Sequence, residues 1–263
     1  MFKNLKNYAK LFWQMLKADI HIYNPNILTT LIDNFIWISC MVIISAYVLP
    51  KLGIIEEYGV FIAMGSLASL VFFEIYITST NFLSDLEGNQ EITYLITLPL
   101  PSWLIFIKQA LGYAYRTMII MPIILLLCKI LLWNKVNFDH FSLIKFFLIF
   151  IILNFFGGIF SLFLSSMAEK IKTLNTAFIR ILMPLWFFGS SQYSWKTLYS
   201  ISPKFAYLNL LNPLTYAFEG IRNSILGSTG NINFWYCFWA LVFFSLFLGF
   251  WSIKKMHKML DFI

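Results

Sequence analysis

The chain has 263 residues, of which 60% are hydrophobic and only 12% are charged. Soluble domains carry about 25% charged residues, so this composition excludes a soluble globular protein and indicates an integral membrane protein with many spans. The formal net charge is +7, but the sequence contains no soluble basic domain. We therefore attribute the charge to contacts with anionic lipid headgroups and to lysines gathered on one side of the membrane, and exclude nucleic acid as a partner.

The first 26 residues are predicted to form an amphipathic helix on the membrane surface. Apolar residues recur every three to four positions from Phe2 to Ile20, and lysines occupy the other faces. Such a helix lies in the interface between lipid and water. The Asn-Pro-Asn sequence at 24–26 is expected to turn this helix into the first span. A simple anchor and a specific contact with another protein are equally compatible with the pattern.

Six apolar runs approach or exceed the ~20 residues that a helix needs to cross a bilayer. These runs are Ile27–Leu49, Tyr58–Asn81, Leu104–Leu132, Phe141–Ser166, Leu174–Ser191 and Phe234–Ile253. Alternating barrel patterns are absent, and lipid admits only helices or closed barrels, so all six are predicted to be helices. The fold class is therefore all-α, with residues 1–263 forming a single transmembrane domain. The distribution of lysine and arginine among the loops predicts that both termini are cytoplasmic.

Catalytic and metal-binding motifs are missing from the sequence. It contains no GxxxxGK[ST], GxSxG, HExxH or CxxC pattern, so the chain is not predicted to bind a nucleotide or to be an enzyme by itself. The histidines and cysteines are scattered over different loops and spans (His21, His140, His257, Cys40, Cys128 and Cys237). We therefore predict no catalytic residues, no cofactor and no metal in this chain.

The connector after the second span, residues 82–103, is predicted to hold a short cytoplasmic helix. Acidic residues precede and begin this helix, apolar residues lie on one side, and prolines end it. A short acid-led helix with an apolar face is suited to a groove on another protein. The alternative is a solvated loop on the headgroups, where acidic side chains would be unfavourable. The candidate docking residues are Asp85, Glu87, Gly88, Glu91, Ile92, Leu95 and Pro99.

The connector before the last span, residues 192–233, is predicted to be an external helical hairpin that re-enters the outer leaflet. Within it, the Asn-Pro pair at 212–213 predicts a helix start, because proline suits the first helical turn. Glu219 and Arg222 lie three positions apart and are expected to pair. We interpret this amphipathic helix as a lid or rim. The candidate gate residues are Asn212, Pro213, Tyr216, Glu219 and Arg222.

Charged residues inside the apolar runs require partners, because each costs about 2.5–3.5 kcal/mol near the centre of a span. We expect Glu74 in span two to pair with Arg116 in span three, in a structural role rather than in substrate binding. Arg180 is expected to reach the interface, to pair or to face a cavity. Pro184 is expected to kink span five.

Small residues on span four predict a close contact between helices. Gly157, Gly158, Ser161 and Ser165 lie on one side of this span. Side chains of this size allow backbones to approach closely within a membrane. We expect a seam within the chain rather than a contact with a second copy.

Two blocks of sequence resemble a known family. EGNQEITYLITLPLPSW, residues 87–103, is similar to the E-x-G-T-x-E-x-L-x-x-x-P pattern after the second span of ABC type-2 transport permeases. LNPLTYAFEGIRNSILG, residues 211–227, resembles the signature before their last span. The chain departs from the family at two points: the basic residue that many relatives place beside Glu87 is missing, and Ile221 separates Gly220 from Arg222.

The resemblance implies one half of an ABC exporter in a bacterial cytoplasmic membrane. Two copies would pair, and each would bind a separate ATPase subunit, which carries ATP and magnesium, at the helix of residues 87–99. The run NPNILTTLIDNFIW lacks the aromatic-glycine-tryptophan-proline sequence of polysaccharide exporters, which favours an amphipathic or lipid-like substrate over a lipid-linked saccharide. The rival interpretation is a stand-alone six-span enzyme or assembly scaffold.

Overall fold

The computed structural model describes residues 2–55, 57–88, 94–95, 101–135, 139–168, 170–228 and 230–260, and the regular elements within them are helical. Five long helices form a bundle: α1 (Phe2–Ile43), α2 (Glu57–Glu87), α3 (Ser102–Leu132), α4 (Leu143–Met167) and α10 (Phe234–Leu260). Between α4 and α10 lie α5 (Ile171–Ala177), α6 (Met183–Trp186), α7 (Trp195–Ile201), α8 (Pro203–Asn209) and α9 (Pro213–Leu226).

The bundle has two ends, which we name by their contacts. At the proximal end Asp19 pairs with Lys108, and the Ile171 amide donates to the Glu87 carboxylate. At the distal end Tyr47 donates to the carbonyl of Leu131. The buried core runs between these ends and draws residues from all five long helices and from α9.

Five helices among the described residues are long and apolar enough to cross a membrane, so the chain is a multi-pass membrane protein. They are Ile27–Leu52, Glu57–Glu87, Trp103–Leu132, Leu143–Met167 and Phe234–Met256. These helices correspond to predicted spans one to four and six. Helix α2 continues past the predicted end of span two at Asn81 and stops at Glu87, so the connector begins at Gly88. The acidic residues expected to precede the short helix of the connector, Asp85 and Glu87, therefore lie at the end of α2.

The predicted fifth span is not one regular helix. Residues 171–191, which we call segment five, alternate between α-helix (α5 and α6) and π-helix (Phe178–Leu182 and Phe187–Ser191). In the first π-helix the Met183 amide bonds to the carbonyl of Phe178. Pro184 has no amide to donate to the Arg180 carbonyl, so the hydrogen bonds shift by one residue. The predicted kink at Pro184 is thus a widened turn, and the helix breaks later, at Ser190, whose φ is +66°.

The same shift occurs before Pro50. There the π-helix Ile44–Val48 follows α1, and the Leu49 amide bonds to the Ile44 carbonyl. Since Pro50 cannot donate to the Ala46 carbonyl, that oxygen needs another partner. The Lys135 ammonium supplies it from the end of α3, at 2.8 Å.

The predicted turn at residues 24–26 is wrong, because α1 continues through Pro25 as a single helix. One neighbouring helix supports both halves of α1. Before Pro25, the Asp19 carboxylate pairs with Lys108 of α3 at 2.7 Å. After Pro25, the Thr30 hydroxyl accepts a hydrogen bond from Arg116, also of α3. These contacts hold the two halves in line and outweigh the local preference of proline to end a helix.

The small-residue seam of span four lies within the chain, as predicted. A side chain at Gly158 would overlap the Ala110 carbonyl of α3, so the two backbones are in direct contact. On the neighbouring face the Ser161 hydroxyl accepts a hydrogen bond from Thr78 of α2 at 2.8 Å, and the Ser161 carbonyl accepts one from Ser79 at 3.0 Å. Helix α4 therefore packs against α2 and α3 through small and hydroxyl side chains.

Changing Gly158 to alanine is expected to destabilise the protein by about 1–3 kcal/mol, because the new methyl group forces α3 and α4 apart. A lower melting temperature of the detergent-solubilised protein would show this. The matched control is Gly249→Ala in α10, where the added methyl group meets Ile159 at an ordinary 3.5 Å. That change should be neutral or stabilising, since alanine favours helix. Equal melting temperatures for the two variants would contradict the contact.

Candidate functional site

Helix α9 begins and ends as its sequence predicts. The Asn212 side chain accepts a hydrogen bond from the Leu214 amide at 3.0 Å, and Pro213 occupies the first turn. Gly227 ends the helix with a φ of +86°, a conformation that favours glycine. The predicted helical connector is also present, as three helices, α7 to α9.

The interpretation of α9 as a lid or rim is wrong in one respect, because the helix is buried on nearly all sides. Its side chains pack against α2, α4, α10 and the second π-helix of segment five. The charged side chains of Glu219 and Arg222 are both fully buried. The polar face that suggested contact with water instead contacts backbone groups of the surrounding elements.

Arg222 joins three parts of the chain at the distal end. Its guanidinium donates to the carbonyls of Ser190 at 2.5 Å, Ser191 at 2.6 Å and Phe61 at 3.2 Å. The same group lies 3.6 Å from the centre of the Phe61 ring, a cation–π contact. Any side chain at Gly65 would overlap the guanidinium, so α2 requires glycine there. Arg222 thus fixes the left-handed turn that ends segment five.

Glu219 does not pair with Arg222, contrary to the prediction. One carboxylate oxygen accepts a hydrogen bond from the Trp195 amide at 2.9 Å, and the other accepts one from the Ile232 amide at 2.8 Å. These amides lie at the start of α7 and just before α10. The two side chains instead bond to different backbone groups of the surrounding elements. Glu219 therefore ties α9 to the chain on both sides of it.

Burial sets the electrostatics of this pair of residues. It raises the pKa of the Glu219 carboxyl above its ordinary value, and the charge of Arg222 and the two amide donors oppose that rise. It also lowers the pKa of Arg222, to about 10, while the charge of Glu219 acts in the opposite direction. Arg222 is therefore still protonated at neutral pH and remains a full donor.

The other candidate gate residues also bond to backbone. The Asn212 amide group donates to the Leu185 carbonyl of segment five at 2.6 Å. The Tyr216 hydroxyl donates to the Leu210 carbonyl at 2.9 Å, and Pro213 is buried. The gate residues thus form one connected structure at the distal end, which joins α9 to segment five.

The predicted ion pair between Glu74 and Arg116 is present. The guanidinium of Arg116 lies 3.1 Å from the carboxylate of Glu74, and both side chains are buried between α2 and α3. A second nitrogen of Arg116 donates to the Thr30 hydroxyl of α1 at 2.8 Å. The pair therefore joins three spans inside the bundle. It also gives each charge the partner that a charged side chain needs within a membrane.

The candidate docking residues lie partly within the described structure, at the proximal end. The Glu87 carboxylate accepts a hydrogen bond from the Ile171 amide at 3.3 Å, which links α2 to the start of segment five. Leu95 packs against a small cluster formed by Met15 of α1 and Ile105 of α3. Gly88 is exposed. Glu91, Ile92 and Pro99 lie outside the described residues.

One buried ion pair was missed from the sequence. Asp19 and Lys108 pair at 2.7 Å with side chains that are nearly inaccessible to water. The sequence pattern alone places Lys108 among the cytoplasmic cations and gives it no partner. The available signal was a lone carboxylate in an N-terminal helix that otherwise carries lysines. This pair anchors the N-terminal half of α1 to α3.

Arg180 lies on the exposed face of segment five, in the first π-helix. It lines a cavity of about 380 Å³ with Lys172 and Thr176 on the proximal side. On the distal side it lines a second cavity of about 390 Å³ with Phe188 and Phe205. Of the three outcomes expected for this residue, facing a cavity is the one observed.

The largest described cavity, about 720 Å³, opens at the distal end between α2 and residues 192–197. Its lining includes Tyr58, whose hydroxyl donates to the Gln192 carbonyl at 3.1 Å, and both a cation, Lys135, and an anion, Glu57. Charges of both signs select no particular ligand. Within the described residues, no group of three histidine, cysteine or acidic side chains could hold a metal ion.

A bundle of membrane-length helices, joined by buried ion pairs and closed at one end by a buried helix, defines a polytopic helical membrane protein. Residues 10–226 match the family described as ABC-2 type transporter. The chain belongs to this family and is a membrane permease of an ABC transporter, a transport component that is not itself an enzyme. A comparison with curated proteins finds no matching sequence.

Proposed function

We propose that this chain is the permease subunit of an ATP-driven exporter that moves an amphipathic or lipid-like substrate across a bacterial cytoplasmic membrane. The family match over residues 10–226 carries this proposal. The chain has no GxxxxGK[ST] sequence, so the nucleotide must bind to a separate ATPase subunit together with magnesium. The proposed topology has six spans, with segment five as the fifth and both termini in the cytoplasm.

We place the ATPase contact at the proximal end, at residues 85–99. Two contacts would carry movement from this region into the membrane. Glu87 bonds to the first residue of segment five, and Leu95 packs against α1 and α3. The Tyr94 side chain beside it is 66% exposed. A displacement of this connector would therefore move three spans together.

The complete transporter is proposed to contain two copies of the chain and two ATPase subunits. Closure of the ATPase subunits on ATP would move the two permease subunits and open a path between them. Segment five suits this movement because its two π-helices and the break at Ser190 interrupt regular helix. A lipid-linked saccharide is the alternative substrate.

A purification from native membranes tests the proposal. The full chain, tagged and solubilised in a mild detergent, should bring with it a protein that contains GxxxxGK[ST] and hydrolyses ATP. Mutation of the lysine in that motif should abolish both the hydrolysis and the transport. A chain that transports alone, with no nucleotide-binding partner, would contradict the proposal.

Changing Glu91 to lysine is expected to lower the ATPase activity of the complex several-fold while the protein still inserts into the membrane. Reversal of a charge at a docking contact replaces attraction by repulsion. The measurements are ATP hydrolysis by the purified complex and the amount of ATPase subunit retained. The matched control is Glu57→Lys, since Glu57 is an exposed carboxylate at the distal end of α2. Equal activity in the two variants would remove the docking role from Glu91.

A further inference from the structure

We propose that Arg180 binds the anionic headgroup of an amphipathic substrate, and that the apolar cavity beside it holds the tail. The inference deepens the proposed export function and rests on it. It assigns the substrate to one chemical class, amphiphiles that carry a phosphate or a carboxylate.

The first observation is the position of Arg180 within a long apolar segment. It lies nine residues after Ile171, the first residue of segment five, or about 13 Å along a helix, which is close to half the thickness of a bilayer core. A cation at that depth costs about 2.5–3.5 kcal/mol. Among the described residues no carboxylate lies within ion-pair distance of it. Ionisable side chains at such positions mark substrate pathways.

The second observation is the backbone around Arg180. The residue lies in the π-helix Phe178–Leu182, a rare conformation that is found frequently at functional sites. Pro184 accounts for the widened turn, as described above. The turn places Arg180 on the exposed side of segment five, while Leu182 of the same turn is buried in the core. The sequence therefore turns the one charged residue of this turn away from the core.

The third observation is the chemical difference between the two cavities that Arg180 lines. The proximal cavity is lined by a second cation, Lys172, and by Thr173 and Thr176, although carbon atoms form most of its accessible surface. The distal cavity is lined mainly by apolar residues, including Phe188 and Phe205, whose rings meet edge to face with centres 5.5 Å apart. Arg180 and Ile181 line both cavities, which therefore adjoin the same turn of segment five, and we call the two cavities together the groove.

Charge complementarity selects the ligand. The described lining of the groove contains two cations and no acidic residue, so it favours an anion. Arginine binds phosphate and carboxylate groups through two parallel hydrogen bonds. With the polar group at Arg180 and an acyl chain toward Phe205, each half of an amphiphile would meet a surface of its own kind. Each cavity, at 380 to 390 Å³, falls within the range of small-molecule sites.

The test measures binding of dioctanoyl phosphatidic acid to the purified full chain in a neutral detergent, by native mass spectrometry. Arg180→Gln should weaken binding about tenfold, the effect of one strong charge-assisted contact. Arg180→Lys keeps the charge but cannot form the two parallel hydrogen bonds, so its affinity should lie between those of the wild type and Arg180→Gln. Dioctanoylglycerol, which has the same tails but no anionic group, should bind less tightly to the wild type and lose nothing in Arg180→Gln.

Two further variants separate a site from general attraction of lipid. Lys254 is an exposed cation at the proximal end of α10, away from the groove, so Lys254→Gln should leave binding within about twofold. Dioctanoyl phosphatidic acid should bind the wild type more tightly than dibutanoyl phosphatidic acid, which has shorter tails. Phe205→Ala should abolish this difference in affinity, because the longer tail loses its contact with the Phe205 ring.

Several results would overturn the inference. Equal weakening by Arg180→Gln and Lys254→Gln would mean that anionic lipid merely surrounds the protein. Competition by inorganic phosphate at the same concentration would mean an anion site without selection for a tail. A change of oligomeric state in Arg180→Gln would mean that a second copy covers the groove. The binding assay needs no ATPase. Failure to find an ATPase partner would therefore refute only the proposed exporter. Loss of phosphatidic acid binding in a protein whose transport is still driven by ATP would refute only the site at Arg180.

Discussion

Replacing Arg222 by leucine is expected to cost about 3–5 kcal/mol of stability, the range seen when one partner of a buried charged network is removed. The carbonyls of Phe61, Ser190 and Ser191 would lose their donor inside the protein, and the buried Glu219 would lose a compensating charge. The expected result is a much lower melting temperature in detergent and a smaller fraction of monodisperse protein on size exclusion.

Two variants control this prediction. Lys204→Leu also removes a cation from the distal connector, but Lys204 is exposed, so stability should change by less than about 0.5 kcal/mol. Arg222→Lys keeps the charge but lacks the planar fork that reaches three carbonyls, so it should fall between the wild type and Arg222→Leu. If Arg222→Leu proved as stable as Lys204→Leu, the network would have no structural role.

The start and end of α9 could be predicted from the sequence, but its environment could not. Asn212, Pro213 and Gly227 act through contacts within a few residues of themselves, so their effect is visible in the local sequence. The partners of Glu219 and Arg222 lie 13 to 161 positions away along the chain, at Ile232, Trp195, Ser190, Ser191 and Phe61. A charged residue that faces a buried backbone group has the same sequence pattern as one that faces water.

The structures found at Pro25 and at Pro184 have a common physical origin. Proline removes one hydrogen bond and disfavours helix in the residue before it, but the cost is a few kcal/mol. Packing against α3 on both sides outweighs that cost at Pro25. At Pro184 the chain adopts a wider turn and stays helical. The local sequence predicts a disturbance at each proline, whereas the tertiary contacts decide its form.

The candidate site was predicted in part for a reason specific to membranes. Lipid offers no partner to a charge. Glu74 and Arg116 lie on neighbouring spans at matching depth, so the sequence predicts that they pair with each other. For Arg180 the sequence allows several environments: the interface, an ion pair or a cavity. Only the packed structure places this residue beside two cavities. The proximal contacts of Glu87 and Leu95 depend on the residue at which α2 ends. Apolar composition predicts the end of a helix only to within a few residues, so these contacts could not be predicted from the sequence.

Changing Arg116 to leucine is expected to cost about 3 kcal/mol or more, because it leaves the Glu74 carboxylate buried without its counter-charge. Removing both charges, in Glu74→Leu/Arg116→Leu, should restore much of that loss, since two apolar side chains need no partner in lipid. Thr30→Val is the matched control: it removes one hydrogen bond to Arg116, keeps the ion pair, and should cost about 1 kcal/mol. Melting temperatures in detergent of the wild type, Arg116→Leu, Glu74→Leu and the double variant give the coupling energy of the pair.

The same double variant decides between the two roles considered for this pair. A purely structural pair predicts that a double variant with restored stability also restores ATP-driven transport, because nothing that contacts substrate has been lost. Restored stability with transport still abolished would place Glu74 and Arg116 on the substrate path. Losses that simply add in the double variant would mean that the two charges do not stabilise each other, although they lie 3.1 Å apart. We expect the structural outcome, since Arg116 is held by both α2 and α1 in the interior, whereas Arg180 faces open space on segment five.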